Sequence, residues 1–170
     1  MTALLSLYSA LTARLEKADW LIPTLARLLF AAILLVYLLN SGLTKLGPGI
    51  SGLWTPSTGA YAQIWPRALE AAGYDSDAMS WFHYAVVIAG TWGEFILPTL
   101  IAIGLFTRLA ALGMIGFVVV LSLTDVYGHG LTAEIGAWFD RFPDAIILLV
   151  VMVIKGAGPL SFDRALKSRQ

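Results

Sequence analysis

The chain alternates long apolar runs with polar connections rich in glycine and proline. Four apolar stretches lie at about 21–43, 84–106, 109–127 and 143–160. A helix needs about 20 apolar residues to cross a bilayer. The first three stretches satisfy this, whereas the apolar run of the last has only thirteen residues, 143–155, and needs its flanks to reach that length. We therefore predict four transmembrane helices, with a re-entrant segment as the alternative for the last.

The segment before the first span has a different pattern. Its leucines recur every three or four positions among charged and hydroxyl side chains, which predicts an amphipathic helix lying in the membrane interface. A cleaved signal peptide is the rival interpretation, but the segment lacks a basic n-region. The predicted organisation is an interfacial helix at 1–19, a four-helix membrane domain at 20–163 and a short tail at 164–170.

Composition supports an all-α integral membrane protein. The chain is 58% hydrophobic and 13% charged, whereas ordinary globular proteins carry about 25% charged residues. A net charge of zero without basic runs gives no reason to expect nucleic acid. The absence of cysteine excludes disulfides, thiolate catalysis and cysteine-ligated clusters in this chain. No nucleotide-binding glycine motif or haem-binding histidine pair is present, so we expect no autonomous enzyme and no bound metal, haem or flavin.

The distribution of positive charge predicts the orientation. In a four-span arrangement one side carries only Lys45, Arg67 and Arg141. Because Lys and Arg concentrate on the cytoplasmic side, both termini are expected in the cytoplasm and the protein in the cytoplasmic (inner) membrane of a bacterium. The connections 44–80 and 127–142 would then face outward. The basic residues of the cytoplasmic side are Arg14, Lys17, Arg108, Lys155, Arg164, Lys167 and Arg169.

Glu94 stands near the middle of the second apolar stretch. Ionisable groups in a membrane span are costly and often mark a functional pathway or a pair. Arg27 lies about 9 Å into the first span, where it could either snorkel to the interface or pair with Glu94. Two roles for Glu94 stay open at this stage, a structural ion pair and a proton acceptor or headgroup ligand.

Two other side chains are candidates for the same site. His83 precedes Glu94 by eleven residues, so both lie on one helix face about 16 Å apart. A histidine and a carboxylate could together bind a quinone head, one donating to a carbonyl oxygen and the other moving a proton. Trp92 is expected to support such a pocket by packing. His83, His129 and Asp125 could instead bind a metal, but no ligand-spaced motif favours it.

The second span also carries small residues at every fourth position, Ala85, Ala89 and Gly93. This spacing lets another helix approach closely. It predicts a homodimer through that face.

Several short motifs resemble one known family. GLTKL at 42–46, GLFTRLAAL at 104–112 and GPLSFD at 158–163, together with Arg27 and Glu94, are similar to those of the DoxX family of small membrane proteins. The resemblance implies a bundle of four spans. For archaeal relatives it also implies membership of a thiosulfate:quinone oxidoreductase.

The leading hypothesis is an integral subunit of a quinone-linked redox system. It would bind a quinone-like carrier through Glu94, Arg27, His83 and Trp92 and dock an oxidoreductase partner on the outer face. A non-catalytic membrane scaffold or assembly factor is the alternative. A small solute or metal transporter is a weaker one.

Overall fold

The computed structural model describes residues 2–129 and 143–167, and all of its named elements are helical. The segment Ala31–Leu35 is π-helical and joins α2 to α3, and Ile50–Leu53 is a 3₁₀ turn. The α-helices are α1 Thr2–Lys17, α2 Leu21–Phe30, α3 Val36–Lys45, α4 Thr58–Ile64, α5 Pro66–Ala71, α6 Trp81–Ile103, α7 Thr107–His129, α8 Pro143–Lys155 and α9 Phe162–Lys167.

Three helices of the described chain are long and apolar enough to cross a membrane. They are Leu21–Lys45, which comprises α2, the π-helical segment and α3, then Trp81–Ile103 and Thr107–Tyr127. The first three predicted spans are thereby confirmed as helices of spanning length. The fourth span stays a prediction, because α8 has 13 residues and 130–142 lie outside the described residues. The N-terminal segment is helical, as the leucine spacing predicts, and its place in the membrane interface stays a prediction.

The long helices pack around one core. α2 contacts α8, α8 contacts α7, α7 contacts α6, and α6 contacts α3. The side chains at the centre are fully buried, and the faces that point away from it are largely apolar and exposed, as lipid contact requires. The largest buried core side chains are Phe30, Ile101, Met114, Leu149 and Met152.

The buried positions along the first span follow two registers that differ by one residue. In α2 they include Pro23, Arg27 and Phe30. In α3 they are Leu38, Gly42 and Lys45. An uninterrupted helix would turn Tyr37 and Thr44 inward instead, yet Tyr37 is 52% exposed and Thr44 is also exposed. The π-helical segment holds one extra residue and rotates α3 by about 100° relative to α2. Because of this rotation Lys45 points into the protein.

Deleting Ile33 should therefore be tolerated. Ile33 is exposed within the π-helical segment, and its loss lets that segment become α-helical while α3 keeps its orientation. Deleting Val119, which is also exposed but lies in α7, should rotate the rest of that helix by about 100°. Thermal unfolding in detergent should show a small shift for the first deletion and a large one for the second. Equal losses would contradict the register shift.

Residues 46–80, which we call the cap, fold over one end of the spans. It contains the two short helices α4 and α5, which are separate because Pro66 starts a new helix. Burial raises the pKa of the Tyr61 phenol, and the neighbouring Tyr84 and Asp77 raise it further. The apolar side chains of the cap pack against α6, and the cluster comprises Ala60, Tyr61, Ile64, Leu69 and Val87.

A hydrogen bond and a cation–π contact help to attach the cap to the long helices. The Tyr84 hydroxyl donates to the carbonyl of Trp54 at 2.7 Å. The Arg67 guanidinium lies over the ring of Tyr127, 5.0 Å from its centroid. The cap is therefore held to both α6 and α7.

Candidate functional site

A buried ion pair joins the end of α3 to the middle of α6. The Lys45 ammonium donates to both carboxylate oxygens of Glu94, each at 2.9 Å, and to the Ser41 hydroxyl at 2.7 Å. These bonds use all three of its donors. Both charged side chains are buried, at 3% and 2% exposure. The pair is thus neutral as a whole and satisfied on the lysine side.

Glu94 lies level with the C-terminal end of α3 because the cap covers the start of α6. Val87, seven residues before Glu94, belongs to the cap cluster. About two turns of α6 therefore rise beside the cap before the helix reaches Lys45. Glu94 is near the middle of the apolar stretch 84–106 in the sequence. Because the first part of that stretch lies beside the cap, Glu94 is closer to the cap end of the bundle than its position in the sequence suggests.

The alternative in which Arg27 pairs with Glu94 is wrong, because Lys45 is the partner of Glu94. Arg27 is buried at the other end of the spans, where it donates to the Leu160 carbonyl and lies against Gly104. Gly104 follows Glu94 by ten residues, about 15 Å along the helix. Asp163 is close enough to interact electrostatically with Arg27. Arg27 therefore contributes to the other end of the bundle.

At that end, Asp163 links α9 to the start of α7. Its carboxylate accepts hydrogen bonds from the backbone N–H groups of Phe106 at 2.7 Å and Thr107 at 2.9 Å. These groups open α7 and have no partner within that helix. These two hydrogen bonds thus join the motifs at 104–112 and 158–163.

A cavity of about 330 Å³ lies between α6 and α7, with the ion pair in its wall. This volume is at the lower end of the range for small-molecule sites, about 300–1,000 Å³. A Cβ added to Gly116 would meet nothing within 4 Å, so missing side chains create much of the space. The small residues of the lining are Ala89, Gly90, Gly93, Gly113 and Gly116, and the remaining lining residues are Ile64, Val86, Leu97, Phe117, Val120, Leu121 and Thr124.

The cavity opens sideways on the surface of the bundle. Ala89, Gly113, Gly116 and Val120 are exposed although they lie on membrane-spanning helices. A molecule would therefore reach the cavity from the lipid. Gly93 belongs to the small-residue face and packs against Phe117 of the same chain, where an added Cβ would come within 3.4 Å of the ring. Dimerisation through that face stays a prediction.

His83 lies away from the cavity, although it is on the same helix as Glu94. Its Nδ1 accepts a hydrogen bond from the Ser80 N–H at 3.3 Å and lies 2.9 Å from the Ser80 hydroxyl. Its ring packs edge-on against Trp65, with centroids 4.9 Å apart. The imidazole therefore stabilises the start of α6 and its junction with the cap.

Trp92 also points elsewhere. Its Nε1 donates to the Leu53 carbonyl at 3.3 Å, and its ring lies 5.6 Å from that of Trp54. Of the four predicted site residues, only Glu94 lines the cavity. The four residues therefore do not share this cavity, and the binding role of the four stays a prediction.

Lys45 is the residue that sequence reasoning missed. The apolar run ends just before Lys45, so the sequence alone assigns it to the charges of the outer connection. Its place in the GLTKL motif, and the glycines at 113 and 116, were the available signals. The inward turn of Lys45 depends on the π-helical register shift, which no local pattern reveals.

The arrangement is suited to binding one polar head in an apolar environment. A lysine ammonium can donate to a carbonyl oxygen, and a carboxylate can accept or return a proton. Among residues 2–129 and 143–167, no three His, Cys, Asp or Glu side chains are grouped so that they could hold a metal ion. The ion pair is therefore the principal polar feature of the cavity.

A family model described as DoxX matches residues 22–125. The matched range includes both members of the ion pair and every residue that lines the cavity. No curated protein and no solved structure matches the chain.

Proposed function

This chain belongs to the DoxX family, and we propose that it is a membrane subunit that binds a lipid-soluble redox carrier of the quinone class. The carrier would occupy the cavity between α6 and α7 and exchange electrons with an oxidoreductase partner. The observation that carries the proposal is the buried pair of Lys45 and Glu94 in the wall of an otherwise apolar cavity.

The chemistry of the pair matches a quinone head. One carbonyl oxygen of a quinone would accept a hydrogen bond from the Lys45 ammonium in place of the Ser41 hydroxyl, which is one of the three present acceptors of that ammonium. Reduction of the quinone to the quinol adds two electrons and two protons, with the electrons coming from the partner's substrate. Both protons would come from water, and Glu94 would take up one of them and pass it to the ring oxygen held by Lys45, whose ammonium lies 2.9 Å from both carboxylate oxygens.

The opening of the cavity favours a carrier that dissolves in lipid. Its mouth lies between two membrane-spanning helices, at glycines that leave room for a chain. An isoprenoid tail could extend from the mouth into the bilayer without displacing a protein side chain. A water-soluble substrate would have to cross lipid to reach the same opening.

The partner would dock on the cap. Trp54 and Ile50 of the cap are exposed at 62% and 87%, and Trp81 at the adjoining start of α6 is exposed at 78%. Aromatic residues are enriched at protein interfaces. A partner seated there would lie above the end of α3, close to the ion pair. The outer location of this face follows from the predicted orientation.

Replacing Gly116 with leucine should block the cavity. The side chain would fill open space without touching the ion pair, and it should weaken binding of a short-tailed quinone by about 100-fold. Val119→Leu enlarges the same helix on its exposed, non-cavity face and should leave binding unchanged. Calorimetric titration of the purified protein in detergent measures both. Unchanged binding in Gly116→Leu, or no binding by the natural protein, would contradict the proposal.

The scaffold alternative makes a different prediction for the intact complex. Capture of the protein from native membranes should recover a stoichiometric partner, and lipid extraction of the captured complex should recover quinone. A partner recovered without quinone, whose turnover is unaffected by Gly116→Leu, would favour the scaffold.

A further inference from the structure

We propose that a second site, at the opposite end of the spans from the cap, binds the phosphate of an anionic phospholipid. The site is a cleft of about 720 Å³ between the start of α2, the start of α7 and the segment that runs from the end of α8 through α9. It lies at the end where Arg27 and Asp163 meet, so it is separate from the cavity beside Glu94. The cationic residues of its lining are Arg108, Lys155, Arg164 and Lys167.

The cleft has more positive charge than its own carboxylates neutralise. Lys155 pairs with Asp19, at 2.8 Å between Nζ and Oδ2. The carboxylate of Asp163 is occupied by the two backbone N–H groups at the start of α7. Arg108, Arg164 and Lys167 are exposed, and neither carboxylate of the lining is bonded to them. An anion in the cleft would therefore meet three cations.

Arg108 is held in a position suited to a phosphate. One of its terminal nitrogens donates to the Ile154 carbonyl at 3.2 Å. This bond links the start of α7 to the end of α8 and limits the motion of the guanidinium. The other donors of the planar group stay available for phosphate oxygens, which arginine binds through paired hydrogen bonds.

The wall of the cleft also holds an unsatisfied polar group. The Thr107 hydroxyl is fully buried and has no hydrogen-bond partner within the described residues. Such a buried group costs about 1–3 kcal/mol when it is left without a partner. Thr107 is one of the residues that line the cleft, and rotation of its side chain toward the cleft would let a bound phosphate supply the acceptor.

The rim of the cleft favours a lipid over a free anion. Four lining residues, Trp20, Phe106, Leu109 and Leu166, are large, apolar and at least 49% exposed. Leu109 begins the lipid-exposed face of α7, which gives acyl chains an apolar surface to follow. Basic clefts beside spans are typical sites for anionic lipid heads, and tryptophan is enriched at the membrane interface.

The test compares lipids and charge variants on the purified full-length protein. Native mass spectrometry with phosphatidylglycerol and phosphatidylcholine should show tighter binding of the former. Arg108→Gln and Arg164→Gln should each weaken phosphatidylglycerol binding by about fivefold, and the double variant by about 25-fold. Arg67→Gln, at the cap end, is the matched control and should leave binding unchanged. All three positions are exposed, so the variants should fold, which circular dichroism verifies.

Three results would overturn the proposal. They are equal binding of the two lipids, an undiminished affinity in the double variant, and displacement of the lipid by inorganic phosphate at equal concentration. The last would identify a site for free anions. Quinone binding by the double variant should equal that of the natural protein, because the cavity beside Glu94 is at the other end. The two proposals can therefore fail separately.

Discussion

Replacing Lys45 with methionine lowers the free energy of unfolding in detergent by about 3–5 kcal/mol. The substitution leaves the Glu94 carboxylate buried without a cation, and both of its oxygens lose the ammonium that donates to them. Glu94→Leu should have a loss of similar size, because it strands the ammonium of Lys45. Denaturation in detergent micelles, followed by circular dichroism, measures both values.

The double variant Lys45→Met/Glu94→Leu should recover most of that stability. An apolar pair of similar volume avoids the cost of burying charge, so the two substitutions should be strongly non-additive. Lys155→Met is the matched control, because it breaks an exposed ion pair and should cost less than about 1 kcal/mol. Additive losses in the double variant would contradict the coupling.

The same double variant separates the two roles of Glu94. If the pair binds the carrier, quinone binding should be lost even though stability has returned. If the pair only holds α3 against α6, the double variant should bind quinone as the natural protein does. A structural and a functional role therefore give opposite results in one measurement.

Gly104→Ala should lower the free energy of unfolding by about 3 kcal/mol. Gly104 has φ 73°, where an added Cβ costs about 1–2 kcal/mol. That Cβ would also collide with the Arg27 guanidinium and the Ser161 side chain, and such overpacking adds about 1–3 kcal/mol. Thermal or chemical unfolding in detergent measures the loss.

Gly73→Ala isolates the backbone part of that loss. Gly73 has a similar φ of 67°, but a Cβ there would meet nothing within 4 Å. It should cost only about 1–2 kcal/mol. The difference between the two variants reports the contacts with Arg27 and Ser161. Equal losses would show that neither side chain packs against Gly104.

The cavity between α6 and α7 shows how much of a binding site can be predicted from sequence patterns. The small residues Ala85, Ala89 and Gly93 predict close approach of another helix, and α7 does approach at Gly93. Whether this face also leaves a cavity depends on the facing residues of α7, above all Gly113 and Gly116. Their alignment across two helices is a tertiary property, so no single helix pattern predicts it.

The error at Arg27 has a physical cause. Both Arg27 and Lys45 stand in or beside the first span, and opposite charge alone cannot choose between them. The choice depends on depth and rotation. The cap lifts the start of α6 so that Glu94 is level with Lys45, and the π-helical segment turns Lys45 inward. Both effects arise between elements that are distant in sequence.

The sequence by itself determined the membrane class, the three helices of spanning length and the family, because apolar run length and short motifs are local properties. It also marked Glu94 as the exceptional group of its span. Only the tertiary structure decided that Lys45 is its partner, and that Arg27, His83 and Trp92 serve other contacts. Those decisions depend on the rotation and relative height of packed helices, which are fixed when the whole bundle assembles.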